Sequence, residues 1–317
     1  MPSKIISVVG ATGMQGGSVI DALLKDSNFS IRAITRNPSS DAAKLLATKG
    51  VEVVKADVND LASLTSAFAG SSAIYAVTDF FEPFGHFGPE KAVEIEIQQG
   101  INLAKAAAAT STLEHYIWST LPNGKKVSGG NYVIPHFEAK NRIDDYIKAD
   151  EALFAKTTFL WVTFYASNYY FPMFTPYHIP TAGKYIQLQS TPATVPIKTI
   201  GDARTNVGLF VKAILAQPMK TRGGKFVLAS VEDTTAGDML QTWAKAQGKT
   251  AQYVQIDRSA FNALWPGWSE EMGAMMEFWR DAKDNSWSGE ETILTKEDLG
   301  VQEGLVGLEV AFTALKF

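Results

Sequence analysis

Six short apolar runs, at Lys4–Val9, Ser30–Thr35, Val51–Lys55, Ser72–Val77, His115–Ser119 and Thr157–Thr163, are separated by five helical stretches. The helices are expected over Gly16–Leu24, Asp41–Lys49, Asp60–Phe68, Lys91–Ala109 and Phe137–Lys148. A continuous run such as Ile5-Ile6-Ser7-Val8-Val9 suits a strand buried on both faces. Strands alternating with helices imply parallel βαβ units, so the fold class is α/β, a doubly wound parallel Rossmann sheet.

The alternation stops near residue 165. Prolines and aromatics cluster between Asn168 and Pro196. Helical patterns follow near Asp202–Ala216, Thr235–Ala246, Arg258–Leu264, Ser269–Asp281 and Thr295–Leu299. The expected division is a Rossmann domain over 1–165 and a smaller C-terminal α+β lobe over 166–317. Lys225–Ala229 is a strand candidate that could return to the sheet. A lobe there would cover the carboxyl ends of the strands, where ligands of open α/β sheets sit.

Gly10-Ala11-Thr12-Gly13-Met14-Gln15-Gly16 spaces its glycines as G-x-x-G-x-x-G, after a strand and before a helix. That context is the dinucleotide fingerprint. Gly10 allows a tight turn, Gly13 a close approach of backbone to pyrophosphate, and Gly16 a helix packed close to the sheet. Amides at the helix start, at its positive end, bind phosphate. Thr12, Met14 and Gln15 complete the loop.

An NAD-selective site would place a carboxylate at the end of the second strand. Here the chain reads Ile34-Thr35-Arg36-Asn37-Pro38. Arg36 offers a planar fork to a 2′-phosphate and Thr35 a hydroxyl, so the cofactor expected is NADP(H). Asp57-Val58 falls where the adenine edge would lie, although Asp57 could equally cap a turn.

Composition excludes several alternatives. The chain of 317 residues has no cysteine, so thiolate metal sites and cysteine nucleophiles are ruled out. A net charge of −4 without a basic run argues against direct nucleic-acid binding. No metal pattern, hydrolase elbow, signal-peptide layout or membrane-spanning run is legible. The expectation is a soluble, cytoplasmic protein, or a nuclear one if it is a regulator.

The loop Gly10–Gly17, the Thr35–Pro38 segment, His136-Phe137-Glu138-Ala139-Lys140 and Phe164-Tyr165-Ala166-Ser167-Asn168 together resemble the NmrA-like family of atypical short-chain dehydrogenase/reductases. The resemblance implies an NADP-binding Rossmann domain with a smaller lobe. It implies that Thr12, Gly13, Gln15 and Gly16 hold the pyrophosphate and Arg36 the 2′-phosphate. Thr78 would lie along the cofactor, Lys140 on the nicotinamide ribose, and Tyr165 and Asn168 near the nicotinamide. Families of this kind include NADP-responsive regulators of protein partners as well as NADPH-dependent reductases acting on small molecules.

Typical short-chain reductases use Ser with Tyr-x-x-x-Lys, the tyrosine giving the proton and the lysine supporting it. Here Lys140 stands at the lysine position, Ser119 matches the serine, and His136 replaces the tyrosine. Three catalytic roles are open: His136 as the acid, Lys140 acting through water or a ribose hydroxyl, or no proton transfer at all. Tyr132, in a glycine-marked loop, is another nearby phenol. Phe80 and Phe81 follow the fourth strand, and Tyr165 and Tyr169 the sixth. They are expected either to wall an apolar cleft beside the nicotinamide or to form the core joining the lobes. The reading that follows is an NADPH-dependent reductase of a small aromatic or conjugated carbonyl or imine compound. Its alternative is a redox sensor that binds NADP(H) and regulates a protein partner.

Overall fold

The structure is a computed structural model, which describes residues 4–25 and 28–316. The first half runs β1 (Lys4–Val8), α1 (Met14–Leu23), β2 (Phe29–Thr35), α2 (Asp41–Thr48), β3 (Glu52–Lys55), α3 (Leu61–Phe68), β4 (Ala73–Ala76) and α4 (Phe81–Phe87). It continues with α5 (Pro89–Ala108), β5 (His115–Thr120), α6 (Gly124–Val127), α7 (Pro135–Ala149), α8 (Glu151–Phe154) and β6 (Thr157–Val162). The main sheet has eight strands in the order β3-β2-β1-β4-β5-β6, then Lys225–Ala229 and Ile293–Leu294. All its neighbouring strands are parallel. The chain moves outward from β1 to β3, then crosses back to β4. Loops leave β1 and β4 in opposite directions and open a crevice at their carboxyl ends.

Local chemistry explains the pattern. Every residue of β4, β5 and β6 is buried, as apolar strands covered on both faces should be. Edge strand β3 is exposed at both ends. Ser40 and Asp60 cap α2 and α3 by accepting from first-turn amides. Helix α1 packs on the helix Ala203–Ala216 so closely that a Cβ on Gly208 would sit 2.1 Å from the Ser18 carbonyl oxygen. Asp144 ties α7 to β5, accepting from Trp118 Nε1 at 2.8 Å and from Thr120 Oγ1 at 2.9 Å. Burial raises its pKa to about 7, against those hydrogen bonds and Lys148.

The smaller lobe holds two three-stranded sheets. One orders Glu232–Thr235, Pro196–Gly201 and Phe164–Tyr165; the other orders Ala251–Gln255, Lys184–Gln189 and Tyr177–Ile179. Around them pack the helices Ala236–Ala246, Trp268–Ala282 and Leu308–Ala314. The chain does not divide cleanly at residue 165. The helix Ala203–Ala216 and the strands Lys225–Ala229 and Ile293–Leu294 belong to the large layer. Among the described residues, no helix is long and apolar enough to cross a membrane.

Candidate dinucleotide and substrate site

The glycine loop leaves β1 at Gly10, whose φ of +65° lies in the left-handed region. A Cβ on Gly16 would lie 2.3 Å from the Gly10 carbonyl oxygen, so the start of α1 closes onto the loop only without a side chain there. Thr12, Gly13 and Met14 are exposed. Helix α1 has no side-chain cap and no acidic residue in its first turn. Its positive end therefore faces the crevice without an anion of its own.

The Gln15 side chain makes three hydrogen bonds within the protein. Its Oε1 accepts from Tyr75 Oη and, at 2.8 Å, from Ser119 Oγ, while its Nε2 donates to Tyr165 Oη at 2.5 Å. One amide thus braces α1, β4, β5 and Phe164–Tyr165 across the switch point. Burial pushes the Tyr75 and Tyr165 phenols well above the usual range, which keeps them neutral donors and acceptors. Ser119, at the expected serine position, spends its hydroxyl on this brace. Ser167 Oγ approaches Met14 Sδ at 3.3 Å, so Ala166–Tyr170, which carries Asn168, flanks the loop.

At the far end of the crevice Lys140 is buried from α7. Its Nζ donates to the Thr78 carbonyl at 3.0 Å and to Thr78 Oγ1 at 2.6 Å, and lies 3.1 Å from Glu96 Oε1. Thr78 Oγ1 donates to the same Glu96 oxygen at 2.7 Å. The ammonium also lies 4.9 Å from the Trp118 ring. Glu96 is fully buried in α5, and its Oε2 has no hydrogen-bond partner. Sequence reading missed it, although a signal exists. Ala92, Glu96, Gly100 and Leu103 follow the i, i+4, i+8, i+11 stripe, and all four are buried. A carboxylate in such a stripe needs a counter-charge.

His136, one turn before Lys140, is 7% exposed. Its Nδ1 is paired with Glu271 Oε1, which also accepts the His136 backbone N–H at 3.1 Å. Glu271 comes from the first turn of Trp268–Ala282 in the smaller lobe and is 1% exposed. It shares a buried face with Met275 and Phe278, four and seven residues on. The imidazole packs on Phe80, Phe81 and Phe137 at centroid distances of 5.9, 5.5 and 4.7 Å. Phe81 also stacks on Trp268 at 5.7 Å and meets Phe171 at 5.4 Å.

This geometry selects among the alternatives that the sequence leaves open for the aromatic residues and Asp57. Phe80 and Phe81 do not wall an open cleft together with Tyr165 and Tyr169. Phe80 is buried, Phe81 is half-buried, and their cluster joins α4 to the smaller lobe. Tyr169 lies elsewhere, buried against Trp243 and Phe312 at 6.5 and 4.7 Å, because its 3₁₀ turn points it into the lobe core. Tyr132 donates to Asp281 and lines a separate surface cavity of about 380 Å³ with Ser128, Asn131 and Phe278. The carboxylate of Asp57 caps a turn, accepting from the Asn59 backbone and side chain at 2.9 Å each. The Val58 carbonyl accepts from Asn102 at 3.0 Å, and Thr35 Oγ1 accepts the Asn37 amide at 3.2 Å. Arg36 is exposed at the end of β2, where Glu82 holds it.

A parallel sheet with a glycine cradle at its switch point defines a Rossmann-type dinucleotide-binding fold. Within that class the chain belongs to the NmrA-like family, which matches residues 2–301. An NmrA-like family domain-containing protein of Dictyostelium discoideum is 30% identical over 261 residues, 80% of this chain and 81% of that protein. An NmrA-like family domain-containing oxidoreductase of Aspergillus hancockii is 32% identical over 53% of this chain; the match spans about half, 48%, of that protein. The crystal structure of NmrA, a negative transcriptional regulator, in complex with NADP superposes with a TM-score of 0.77 at 20% identity, over 99% of this chain and 96% of that one.

Proposed function

We propose that this chain is an NADPH-dependent reductase of a flat, apolar, conjugated carbonyl or imine compound. The loop fits the cofactor: the bare Gly16 lets the start of α1 pack against the Gly10 backbone, and the helix end carries no anion. Thr12, Gly13, Met14 and Gly16 would hold the pyrophosphate by backbone, Arg36 the 2′-phosphate, and Lys140 the nicotinamide ribose, with Tyr165 and Asn168 nearby. Bound NADPH supplies the reducing equivalent as hydride. The NADP complex of NmrA and the oxidoreductase name of the Aspergillus relative support this reading.

One observation carries it: a buried histidine, oriented by a buried carboxylate, stands among aromatic rings one helical turn from Lys140. With Nδ1 on Glu271, the proton to be given is the one at Nε2, and among the described residues no hydrogen bond takes that atom. Phe80, Phe81 and Phe137 pack around the imidazole and lower the polarity of its surroundings. The Nε2 proton goes to the substrate oxygen or nitrogen as the double bond is reduced, and His136 is reprotonated from solvent.

A second reading rests on Lys140. Its three protons are met by Thr78 twice and by Glu96, an arrangement that serves structure as well as catalysis. That favours a sensor that binds NADP(H) and regulates a protein partner, as the regulator description of NmrA suggests. The two readings separate on NADPH oxidation followed against quinones, enones, aldehydes and imines. The reductase reading expects turnover with at least one flat conjugated class. Cofactor binding without turnover on any of them would overturn it in favour of the sensor.

A further inference from the structure

The guanidinium at the end of β2 is already gripped by a carboxylate from a distant part of the chain. Arg36 Nη1 and Nη2 donate to the two oxygens of Glu82 at 2.6 and 3.0 Å. This two-point fork is the geometry by which arginine binds either a carboxylate or a phosphate, and one such face cannot serve both fully. Glu82 sits in the first turn of α4, after β4, so a switch-point neighbour supplies the acid that β2 lacks. Both side chains are about half exposed, 57% for Arg36 and 49% for Glu82, so the pair opens without unpacking the core. Asp57 and Asp79 add negative field at the same guanidinium. A dianionic phosphate arriving there meets three carboxylates and one occupied cation.

Resting on the assignment of Arg36 to the 2′-phosphate, we propose that Glu82 is a specificity-determining residue which fills the phosphate's place in the free protein. NADP(H) must displace it; NAD(H), with a hydroxyl at that position, leaves the Arg36–Glu82 pair closed. Glu82 therefore lowers affinity for the phosphorylated dinucleotide and narrows the preference that Arg36 creates.

The test is calorimetric titration of NADP⁺ and NAD⁺ into the wild type, Glu82→Gln, Arg36→Ala and the double variant. Glu82→Gln is expected to tighten NADP⁺ by about two- to fivefold, the range of an exposed ion pair, with NAD⁺ unchanged. The gain should shrink in the Arg36→Ala background, because the displaced pair no longer exists. Unchanged or weaker NADP⁺ binding by Glu82→Gln, with Arg36→Ala still impaired, would overturn the proposal alone. Unimpaired NADP⁺ binding by Arg36→Ala would overturn the underlying assignment of Arg36 and the proposal with it.

Discussion

Lys140→Ala is expected to lose about 3–5 kcal/mol of folding stability, before any effect on turnover, because it strips the counter-charge from a buried carboxylate. Glu96 is fully buried, its Oε1 lies 3.1 Å from the Lys140 ammonium, and its Oε2 has no other partner. The Thr78 hydroxyl remains, but a single neutral donor does not compensate a desolvated charge. Lys140→Met combined with Glu96→Gln should recover most of the loss, since both charges then leave together and the volume is kept. Equilibrium urea unfolding of the three proteins checks this. A loss under about 1 kcal/mol for Lys140→Ala would show that the buried pair contributes little. For the same reason, lost turnover in Lys140→Ala cannot by itself be credited to chemistry, and stability must be measured beside it.

The second large effect concerns the proton. His136→Asn should slow reduction by about a hundredfold or more, with cofactor affinity unchanged. Asparagine can keep a side-chain N–H toward Glu271, and the backbone amide bond to that carboxylate at 3.1 Å stays in place. It therefore removes the titratable nitrogen while sparing Glu271 a stranded charge. Single-turnover NADPH oxidation at saturating cofactor isolates the step. A rate within about threefold of wild type, set against the hundredfold of general acid catalysis, would remove His136 from the chemistry. Lys140, working through water, would then be the remaining donor.

Much of the fold could be read from the chain because its strands are apolar and buried on both faces, as in β4 to β6. The strands of the smaller lobe obey another rule. Lys184–Gln189 buries Gln187 and Gln189, whose side chains donate to the Phe174 and Met173 carbonyls at 2.6 Å each, so polar residues face inward and the pattern inverts. Helix α4 was equally hidden: Phe81-Glu82-Pro83-Phe84-Gly85-His86-Phe87 holds both a proline and a glycine, and reads as a loop.

Of the proposed site, the sequence offers what residue type and spacing alone can mark: the glycine loop, Arg36, His136 and Lys140. The site was not legible where function depends on a partner far away in sequence. Glu82, Glu96 and Glu271 reach Arg36, Lys140 and His136 across separations of 46, 44 and 135 residues (82 − 36, 140 − 96, 271 − 136). Each is an ordinary glutamate until the fold brings it to its nitrogen-bearing partner. The tyrosines show the converse. Tyr165 and Tyr169 are four residues apart, yet one reaches Gln15 and the other the lobe core.

Both proposed functions require the crevice above β1 and β4 to take a phosphorylated dinucleotide. Titration calorimetry of NADPH and NADH into the wild-type protein at one ionic strength tests that directly. NADPH is expected to bind about ten- to a hundredfold tighter, the contribution of one charge-assisted phosphate contact. Equal or tighter binding of NADH, or no binding of either, would contradict it.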